Sequence, residues 1–249
     1  MNRYGLLGHK LSHSQSKEIH EYFFKVNNID AIYDMIELGE EELFNKLELI
    51  RNGYYKGLNV TVPYKEKVIK YLDVLSDAAK EIGAVNTIYL KDGKLIGDNT
   101  DYLGFIEEIN YLNLNVANKT VYVLGSGGAS KAITYALKKL NANVLIVSRD
   151  NSKGITYTDL TKINHFDMIV NTTPVGLFPN VDGVILDKDI VEKSDVCIDL
   201  ICNPKVTKFL EYSKKGYNGL YMLIFQAYHA HKLWGNDIEY NFEDLYKTL

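Results

Sequence analysis

The chain has 249 residues, of which 46% are apolar and 24% charged, and its net charge is -4. These fractions are close to the averages for soluble globular proteins, and the length allows one large domain or two of medium size. The slight negative charge, with no cluster of basic residues along one helix face, argues against nucleic acid as a partner. No run of about 18 apolar residues occurs, and the N-terminal apolar run is too short for a signal peptide. We therefore expect a cytoplasmic protein with no membrane partner.

The first hundred residues alternate strand-like and helix-like segments. Apolar or β-branched runs predict strands, and apolar residues at helical spacing, such as Ile19, Tyr22 and Phe23, predict helices. On these patterns the strands fall at 4–8, 31–36, 57–62, 84–90 and 94–99, and the helices at 14–26, 40–52 and 65–75. The last two strands are joined by "KDGK", whose Asp-Gly pair is a strong hairpin signal. The alternation predicts a mostly parallel α/β sheet with a hairpin at an edge.

A second α/β unit begins near residue 101. Residues 119–149 have the pattern of a strand, a glycine turn, a helix and a strand, which is one complete βαβ unit. Further strands are predicted at 167–172 and 195–200, and helices at 100–112, 207–215 and 220–234. No Pro/Gly-rich linker separates the halves, so the boundary is inferred from the restart of the α/β rhythm. The sequence predicts a two-domain α/β protein whose second domain is Rossmann-like.

The segment "VLGSGGAS" follows a predicted strand and opens a predicted helix. Gly125, Gly127 and Gly128 would let backbone N–H groups approach a pyrophosphate at the positive end of that helix. The sixth position of the motif is Ser130 instead of glycine or alanine, and a tight turn with no ligand is the alternative reading. The segment is a candidate dinucleotide-binding turn.

The end of the next predicted strand decides which dinucleotide fits. A carboxylate there would bind a ribose 2′-hydroxyl, but this chain has Ser148 and Arg149, and an arginine suits a 2′-phosphate. Alternatively, Arg149 is a solvated charge at a strand end. Asp150 could repel the phosphate or pair with Arg149, and the sequence does not choose between these.

The stretch "NVTVPYKEK" (59–67) places a lysine just beyond a strand. Pro63 cannot donate to a β-ladder, so the strand must end before it. In open α/β sheets ligands bind beyond the carboxyl ends of the strands. Lys65 is therefore a candidate site residue.

Several polar stretches remain that strand and helix patterns do not explain. They are "SHSQS" (12–16), "NVTVPYK" (59–65), "AVNT" (84–87) and "GDNTD" (97–101). Three further features are the glycine turn, "NTTPVG" (171–176) and Gln226 in "MLIFQAYHA". The order and spacing of all these features resemble the shikimate dehydrogenase family over nearly the whole chain, from "LSHSQS" to "HKLWG".

The resemblance implies a two-domain enzyme that uses NADPH to reduce 3-dehydroshikimate to shikimate, reversibly, on the route to aromatic amino acids. It implies a substrate-binding catalytic domain at 1–100, an NADP-binding domain at 101–221, and C-terminal helices within 222–249 that pack back on the first domain. The oligomeric state is left open by the sequence, with a homodimer among the options.

The resemblance also implies roles for individual residues. The catalytic pair would be Lys65 and Asp101. The substrate carboxylate would be held by Ser14 and Ser16. The residues that would contact the ring hydroxyls or shape their pocket are Asn59, Thr61, Asn86 and Gln226. The cofactor would be held by Gly125, Gly127, Gly128, Ala129, Ser148, Arg149 and Met222.

The chemistry of ketone reduction agrees with the catalytic pair. Hydride transfer to a ketone leaves an alkoxide, which needs a proton donor and a nearby positive charge, and an ammonium supplies both. Asp101 could orient Lys65 or share its proton, and the sequence does not separate these roles.

Each residue taken alone also has an ordinary structural reading. Lys65 could be a solvated charge, and Asp101 could complement a helix dipole. Either serine could be an N-cap. Thr61 could be only a strand former, Asn86 could serve a turn and Gln226 could lie on a solvated helix face. The functional reading depends on the whole set.

The chain departs from the family at several places. Cys202 stands where a tyrosine commonly helps to hold substrate, and Tyr221 replaces a glycine beside the nicotinamide. Only about 16 residues separate Arg149 from the next strand, where the family has a helix and a strand. Lys153 is the sole basic candidate near Arg149 in that stretch to complete a 2′-phosphate pocket. Two alternatives remain: a quinate/shikimate dehydrogenase that prefers NAD, and a non-catalytic regulator that binds a nucleotide or shikimate.

No metal site is predicted. Cys197 and Cys202 lie five residues apart with no Cys-x-x-Cys pair, which favours small core side chains over a disulfide or zinc site. His229 and His231 are two residues apart on a predicted helix and so face different directions.

Overall fold

The computed structural model describes residues 1–12 and 14–249. The chain divides into two compact units: unit 1 is Met1–Gly104 with Leu223–Leu249, and unit 2 is Phe105–Met222. Each unit is an α/β structure built on its own sheet, so the predicted fold class is confirmed. Helices α4 (Asp101–Tyr111) and α9 (Leu220–Leu233) each run across a boundary between the units.

Unit 1 begins with alternating strands and helices. Its elements in chain order are β1 (Asn2–Gly8), α1 (Ser16–Val26), β2 (Ala31–Glu37), a 3-10 helix (Glu40–Glu42), α2 (Leu43–Arg51), β3 (Gly57–Val60), a second 3-10 helix (Lys67–Tyr71), β4 (Val74–Leu75), α3 (Asp77–Ile82), β5 (Thr87–Lys91) and β6 (Lys94–Asp98). The C-terminal part of the chain adds most of α9 and then α10 (Phe242–Thr248).

The six-stranded sheet of unit 1 has the order β2-β1-β3-β5-β6-β4. The pairs β1–β2, β1–β3 and β4–β6 are parallel, while β3–β5 and β5–β6 are antiparallel. Asp92 and Gly93 form the predicted hairpin turn, with φ of +50° and +73°, as a two-residue type I′ turn requires. The hairpin does not lie at the edge of the sheet, because β4 pairs beyond it.

The helix predicted at 65–75 is wrong. Only the second 3-10 helix forms there, and the chain then turns into β4. The Asp73 N–H donates to the Leu95 carbonyl at 3.0 Å, and the Leu95 N–H donates to the Asp73 carboxylate at 2.7 Å. Pairing with β6 thus provides hydrogen-bond partners for backbone groups that a helix would have paired internally. Tertiary context therefore overrides the local helical pattern.

The sheet of unit 1 is covered on both faces, which explains why its central strands are apolar throughout. One core cluster packs Leu7 and Leu58 against Leu47 of α2. Another cluster places Tyr4 with Phe24 of α1. Trp234, just after α9, lies over Gly57, where a Cβ would come within 2.1 Å of the indole nitrogen.

Unit 2 is a parallel sheet of five strands in the order β11-β10-β9-β7-β8. Its elements are β7 (Thr120–Leu124), α5 (Gly128–Lys139), β8 (Asn143–Val147), α6 (Tyr157–Leu160), β9 (Phe166–Asn171), α7 (Lys188–Val191), β10 (Ser194–Asp199), α8 (Lys208–Glu211) and β11 (Gly216–Asn218). The predicted βαβ unit is present as β7, α5 and β8.

The second half of unit 2 differs in detail from the sequence prediction. The helix predicted at 207–215 shrinks to one turn, α8, because the chain continues into β11 and the Cys197 N–H donates to the Lys215 carbonyl at 2.9 Å. Between β8 and β9 the chain forms only the one-turn helix α6 and an isolated bridge from Val147 to Ile155. Sequence patterns did not predict β11, α6 or α7.

Among the described residues, none of the helices combines the length and the apolar character that a membrane crossing requires.

Candidate active site

The strongest feature of the predicted site is the pair formed by Lys65 and Asp101. Lys65 lies in the turn after β3, and Asp101 is the first residue of α4. The Lys65 Nζ donates to Asp101 Oδ2 at 2.6 Å, and only 16% and 6% of the two side chains are exposed. The reading of Lys65 as a solvated charge therefore does not describe this structure.

Asn86 connects the pair to the buried interior of unit 1. Its Nδ2 donates to Asp101 Oδ1 at 2.8 Å and lies 3.2 Å from Gln226 Oε1. Its Oδ1 accepts the Thr100 N–H at 2.6 Å. Gln226 thus lies in a buried network and not on a solvated helix face, and Asn86 does more than serve a turn.

Asn59 belongs to the same network but its hydrogen-bonding capacity is largely used inside the protein. Its Oδ1 accepts from the Tyr33 hydroxyl at 2.7 Å. Its Nδ2 donates to the Asn86 carbonyl at 3.3 Å and to Thr87 Oγ1 at 3.1 Å. Both amide hydrogens are engaged, so only the remaining capacity of Oδ1 is available to a ligand.

Ser14 and Ser16 meet at the start of α1. Their hydroxyls are 3.0 Å apart, and the Ser16 N–H donates to Ser14 Oγ at 3.3 Å. Gln15 occupies the N-cap position, without a side-chain cap bond. The hydroxyls therefore lie at the positive end of an 11-residue helix, a suitable place for a carboxylate. His13, inside the quoted "SHSQS", lies outside the described residues.

Thr61 follows the end of β3 and is half-buried. Its N–H donates to the Leu7 carbonyl at 2.9 Å, and its methyl group packs where a side chain on Gly8 would be. The strand predicted to reach Val62 ends at Val60, so Thr61 is a turn residue.

Sequence reasoning missed the residues that support the network. Thr87 and Thr100 are fully buried, and their hydroxyls are 3.1 Å apart. The buried Asn99 accepts the Asp101 N–H at 3.0 Å through Oδ1. These three lie within or beside "AVNT" and "GDNTD", which carried the signal, whereas Tyr33 lies within a strand and gave none.

The predicted glycine turn of unit 2 lies between β7 and the start of α5. Gly125 follows β7 with φ of +105°, and a Cβ there would come within 2.8 Å of Thr172 Oγ1. Gly127 precedes α5, and nothing lies within 4 Å of a Cβ built on it. The Ser130 hydroxyl donates to the Gly125 carbonyl at 2.7 Å, which gives the serine at the sixth motif position a structural reason. Gly128 and Ala129 form the first turn of α5.

The end of β8 resolves the ambiguity at Asp150. Asp150 accepts the N–H and the hydroxyl of Ser152 at 3.0 and 2.7 Å, which lowers its pKa, and Lys153 Nζ lies 3.9 Å away. Among the described residues none forms an ion pair with the exposed Arg149 guanidinium. Ser148 is buried, and its Oγ accepts the Asp150 N–H at 3.1 Å. Asp150 is therefore held in its own turn instead of neutralising Arg149.

The two departures noted in the sequence lie in unit 2. Burial raises the pKa of the Cys202 thiol to about 12, so the thiol stays protonated and is no nucleophile. The Tyr221 ring lies 6.1 Å from the Tyr111 and Tyr217 rings. Met222 next to it is buried.

The segment "NTTPVG" (171–176) is hydrogen-bonded to the end of β10 through its first residue, Asn171. Asn171 Nδ2 donates to Asp199 Oδ1 at 3.0 Å, and the Thr207 hydroxyl donates to Asp199 Oδ2 at 2.6 Å. Burial raises the Asp199 pKa to about 6. These bonds fix the two loops at the carboxyl edge of the sheet.

The comparison of the sequence with protein families gives one matching domain. A family model described as "Shikimate dehydrogenase substrate binding domain" matches residues 6–88. The chain is also similar to a shikimate dehydrogenase (NADP(+)) from Clostridium perfringens, with 40% identity over 100% of this chain and 98% of that protein.

Two solved structures resemble the whole chain. Shikimate dehydrogenase 1 from Peptoclostridium difficile has a TM-score of 0.89 and 40% identity, covering 100% of this chain and 96% of that one. Shikimate 5-dehydrogenase from Thermus thermophilus, in complex with NADP(H) and shikimate, has a TM-score of 0.91 and 29% identity, covering 100% of each chain.

Proposed function

This chain belongs to the shikimate dehydrogenase family, and on that premise we propose that it reversibly reduces 3-dehydroshikimate to shikimate with NADPH, a step on the route to aromatic amino acids. The observation that carries the proposal is the buried contact between Lys65 and Asp101 inside the Asn86 network. We assign substrate binding to unit 1 and dinucleotide binding to unit 2.

The acid–base chemistry follows from the directions of the hydrogen bonds. Reduction adds a hydride to the carbonyl carbon, and the π electrons of the C=O bond move to the oxygen, which then takes a proton from Lys65 Nζ. Asp101 accepts from Asn86 through one oxygen and from Lys65 through the other. Because Asp101 accepts a hydrogen bond at each carboxylate oxygen, it acts as the fixed anion of the pair. We therefore assign the transferred proton to Lys65 and the orienting role to Asp101.

The substrate would be held from both ends. The paired hydroxyls of Ser14 and Ser16, at the positive end of α1, suit its carboxylate. We assign the ring hydroxyls to the half-buried Thr61 and to Gln226 and Asn86. Asn59 lies behind them and orients Asn86 and Thr87.

The residues of unit 2 fit NADP. Bound NADPH would supply the hydride. The open side of Gly127 leaves room for the pyrophosphate beside the positive end of α5. We assign the 2′-phosphate to Arg149 and Ser148, because Arg149 has no ion pair within the described part of the chain and Asp150 is engaged by Ser152. Ala129 and Met222 complete the proposed set, with Met222 near the nicotinamide.

Initial rates of nicotinamide reduction test this function and its alternatives together. NADP and NAD are each offered with shikimate and with quinate, and kcat/KM is compared. We expect NADP with shikimate to be the fastest pair. A preference for NAD would support the quinate/shikimate alternative, and nucleotide binding without turnover would support a regulator.

Two further proposals concern the location of the protein in the cell and its oligomeric state. The sequence shows no run long enough to cross a membrane, which supports a cytoplasmic location. A homodimer is tested by light scattering of the purified protein, where a single-chain mass would exclude it.

A further inference from the structure

A buried series of hydrogen bonds runs behind the catalytic pair. It links Tyr33, Asn59, Thr87, Asn86 and Asp101, and is named here the Tyr33–Asp101 chain. None of these residues is more than 5% exposed. Because so little of them reaches solvent, each polar atom depends on its neighbour in the chain for a partner.

The direction of the chain is set at its Tyr33 end. The Tyr33 hydroxyl donates to Asn59 Oδ1 at 2.7 Å, and burial raises the Tyr33 pKa well above its usual value, so the phenol keeps its proton. With Oδ1 turned to Tyr33, the Asn59 amide nitrogen faces Thr87 Oγ1 at 3.1 Å. An amide nitrogen only donates, so the Thr87 hydroxyl accepts this bond.

Because Thr87 accepts from Asn59, its own proton is free to be donated toward Asn86. Its single proton is then directed to Asn86 Oδ1 at 3.0 Å, or to the Thr100 hydroxyl at 3.1 Å. The Thr100 backbone N–H donates to the same Asn86 oxygen at 2.6 Å. Where Thr87 donates to Asn86, its hydroxyl and the Thr100 N–H both require Oδ1 on this side, so Asn86 Nδ2 faces Asp101, at 2.8 Å.

We propose that Tyr33 and Thr87 are positioning residues of the reaction: their hydroxyls fix the direction of the Tyr33–Asp101 chain, so that Asp101 meets a donor on its inner side and stays turned toward Lys65. The inference rests on the proposed function, because Lys65 and Asp101 are its catalytic pair. Both residues act through Asn86 and not on the substrate.

The Tyr33 ring is itself held in place. His20 stacks on it with ring centroids 4.1 Å apart and planes at 7°, and His20 Nδ1 lies 2.9 Å from His231 Nε2. His20 belongs to α1 and His231 to α9, so the phenol is fixed against two helices as well as its own strand.

The first test removes the Thr87 hydroxyl, which contacts Asn86 Oδ1. Thr87→Val removes it with little change of shape, and Thr87→Ser restores it. We expect Thr87→Val to lower kcat for shikimate oxidation by about 2- to 13-fold, the equivalent of one net hydrogen bond, because the Thr100 N–H still holds Asn86. The KM for NADP should be unchanged, and Thr87→Ser should recover at least about half of the loss.

The matched control is Thr134→Val in α5. The Thr134 hydroxyl is buried and has no hydrogen-bond partner among the described residues. The same substitution there should leave kcat at the wild-type value.

The second test addresses the Tyr33 end of the Tyr33–Asp101 chain. Tyr33→Phe removes only the hydroxyl, and Tyr55→Phe is its control, because the Tyr55 hydroxyl donates to Asp34 Oδ2 at 3.0 Å without joining the chain. We expect Tyr33→Phe to lower kcat in the same direction as Thr87→Val, and Tyr55→Phe to leave it unchanged.

A readout that needs no turnover separates this inference from the proposed function. The side-chain amide resonance of Asn86, assigned by its loss in Asn86→Ser, should shift in Thr87→Val and Tyr33→Phe and stay in place in both controls. Wild-type turnover of shikimate tests the proposed function by itself. The inference would be overturned if Thr87→Val and Tyr33→Phe both left the Asn86 resonance and kcat at their wild-type values.

Discussion

The Lys65 ammonium donates to Asp101 Oδ2 at 2.6 Å, across 36 residues of sequence. Lys65 follows a strand that stops before a proline, and Asp101 begins the helix that leads out of unit 1. Neither side chain is solvated enough for the contact to be an ordinary surface ion pair, which contributes about 0–1 kcal/mol. The fold therefore places an ammonium beside a carboxylate in a buried contact, the arrangement that we propose for ketone reduction.

The cofactor assignment predicts a selective loss at Arg149. Arg149→Gln should raise the KM for NADP by about 10-fold or more, since a hydrogen bond to a charged group contributes about 1.5–3 kcal/mol, and should leave the KM for NAD unchanged. Lys153→Gln, whose ammonium already lies 3.9 Å from Asp150, should have a smaller effect. Equal losses for both nucleotides would contradict the assignment of the 2′-phosphate to Arg149.

The glycine turn predicts different results for two neighbouring glycines. Gly127→Ala should keep the wild-type melting temperature, because nothing lies within 4 Å of the new Cβ, but should weaken NADP binding by filling the cradle. Gly125→Ala should lower the melting temperature, because φ is +105° and the Cβ would meet Thr172. Thermal melts and nucleotide titrations check both. Full nucleotide affinity in Gly127→Ala would show that the phosphate binds elsewhere.

Glu108 predicts a stabilising substitution. It is fully buried on α4, both of its oxygens have no partner among the described residues, and burial raises its pKa well above 4.5. Since the folded state then holds a proton that the unfolded state releases above pH 4.5, stability declines as pH rises above that value. Glu108→Gln should remove this decline and raise the melting temperature at pH 8. A lower melting temperature of Glu108→Gln at pH 8 would contradict this prediction.

The buried histidine pair predicts acid sensitivity. Burial lowers the pKa of His231 to about 3 and that of His20 well below 6.5, with His231 lowering His20 further. The unfolded chain therefore binds more protons than the folded one as pH falls from about 6.5 toward 3, so stability contributed by the neutral pair is lost over that window. The loss is about 1.4 kcal/mol per pH unit for each proton.

Urea unfolding across this pH range measures the effect. The free-energy difference between the wild type and His231→Gln should shrink as pH falls, because the variant lacks one of the titrating groups. Thr134→Val, which removes no titrating group, should show a constant difference. A constant difference for His231→Gln as well would contradict the prediction.

The fold was largely predictable because its strongest signals are local. The apolar runs of β1, β7 and β9 and the glycine turn before α5 carry their own evidence, and each lies where the sequence indicated. The second 3-10 helix and β11 were missed because pairing with distant strands decided their conformation. No window around residue 72 reveals that the following residues will join β6.

The site was predictable only in part. Residues in short polar stretches beyond strand ends could be identified, and Lys65, Asn86 and Asp101 do meet. Tyr33 could not be identified, because its hydroxyl meets Asn59 across 26 residues and a tyrosine inside a strand is an ordinary core residue. The direction of a hydrogen bond is likewise a property of the assembled network and not of any segment.

The most direct test of the account is the turnover of Lys65→Ala with NADP and shikimate. Because we assign the transferred proton to Lys65, kcat should fall by about 10²- to 10⁴-fold with a smaller change in KM. Lys67→Ala, which removes an exposed lysine paired with Glu40, should retain wild-type turnover. A Lys65→Ala protein that turns over shikimate at the wild-type rate would contradict the central claim.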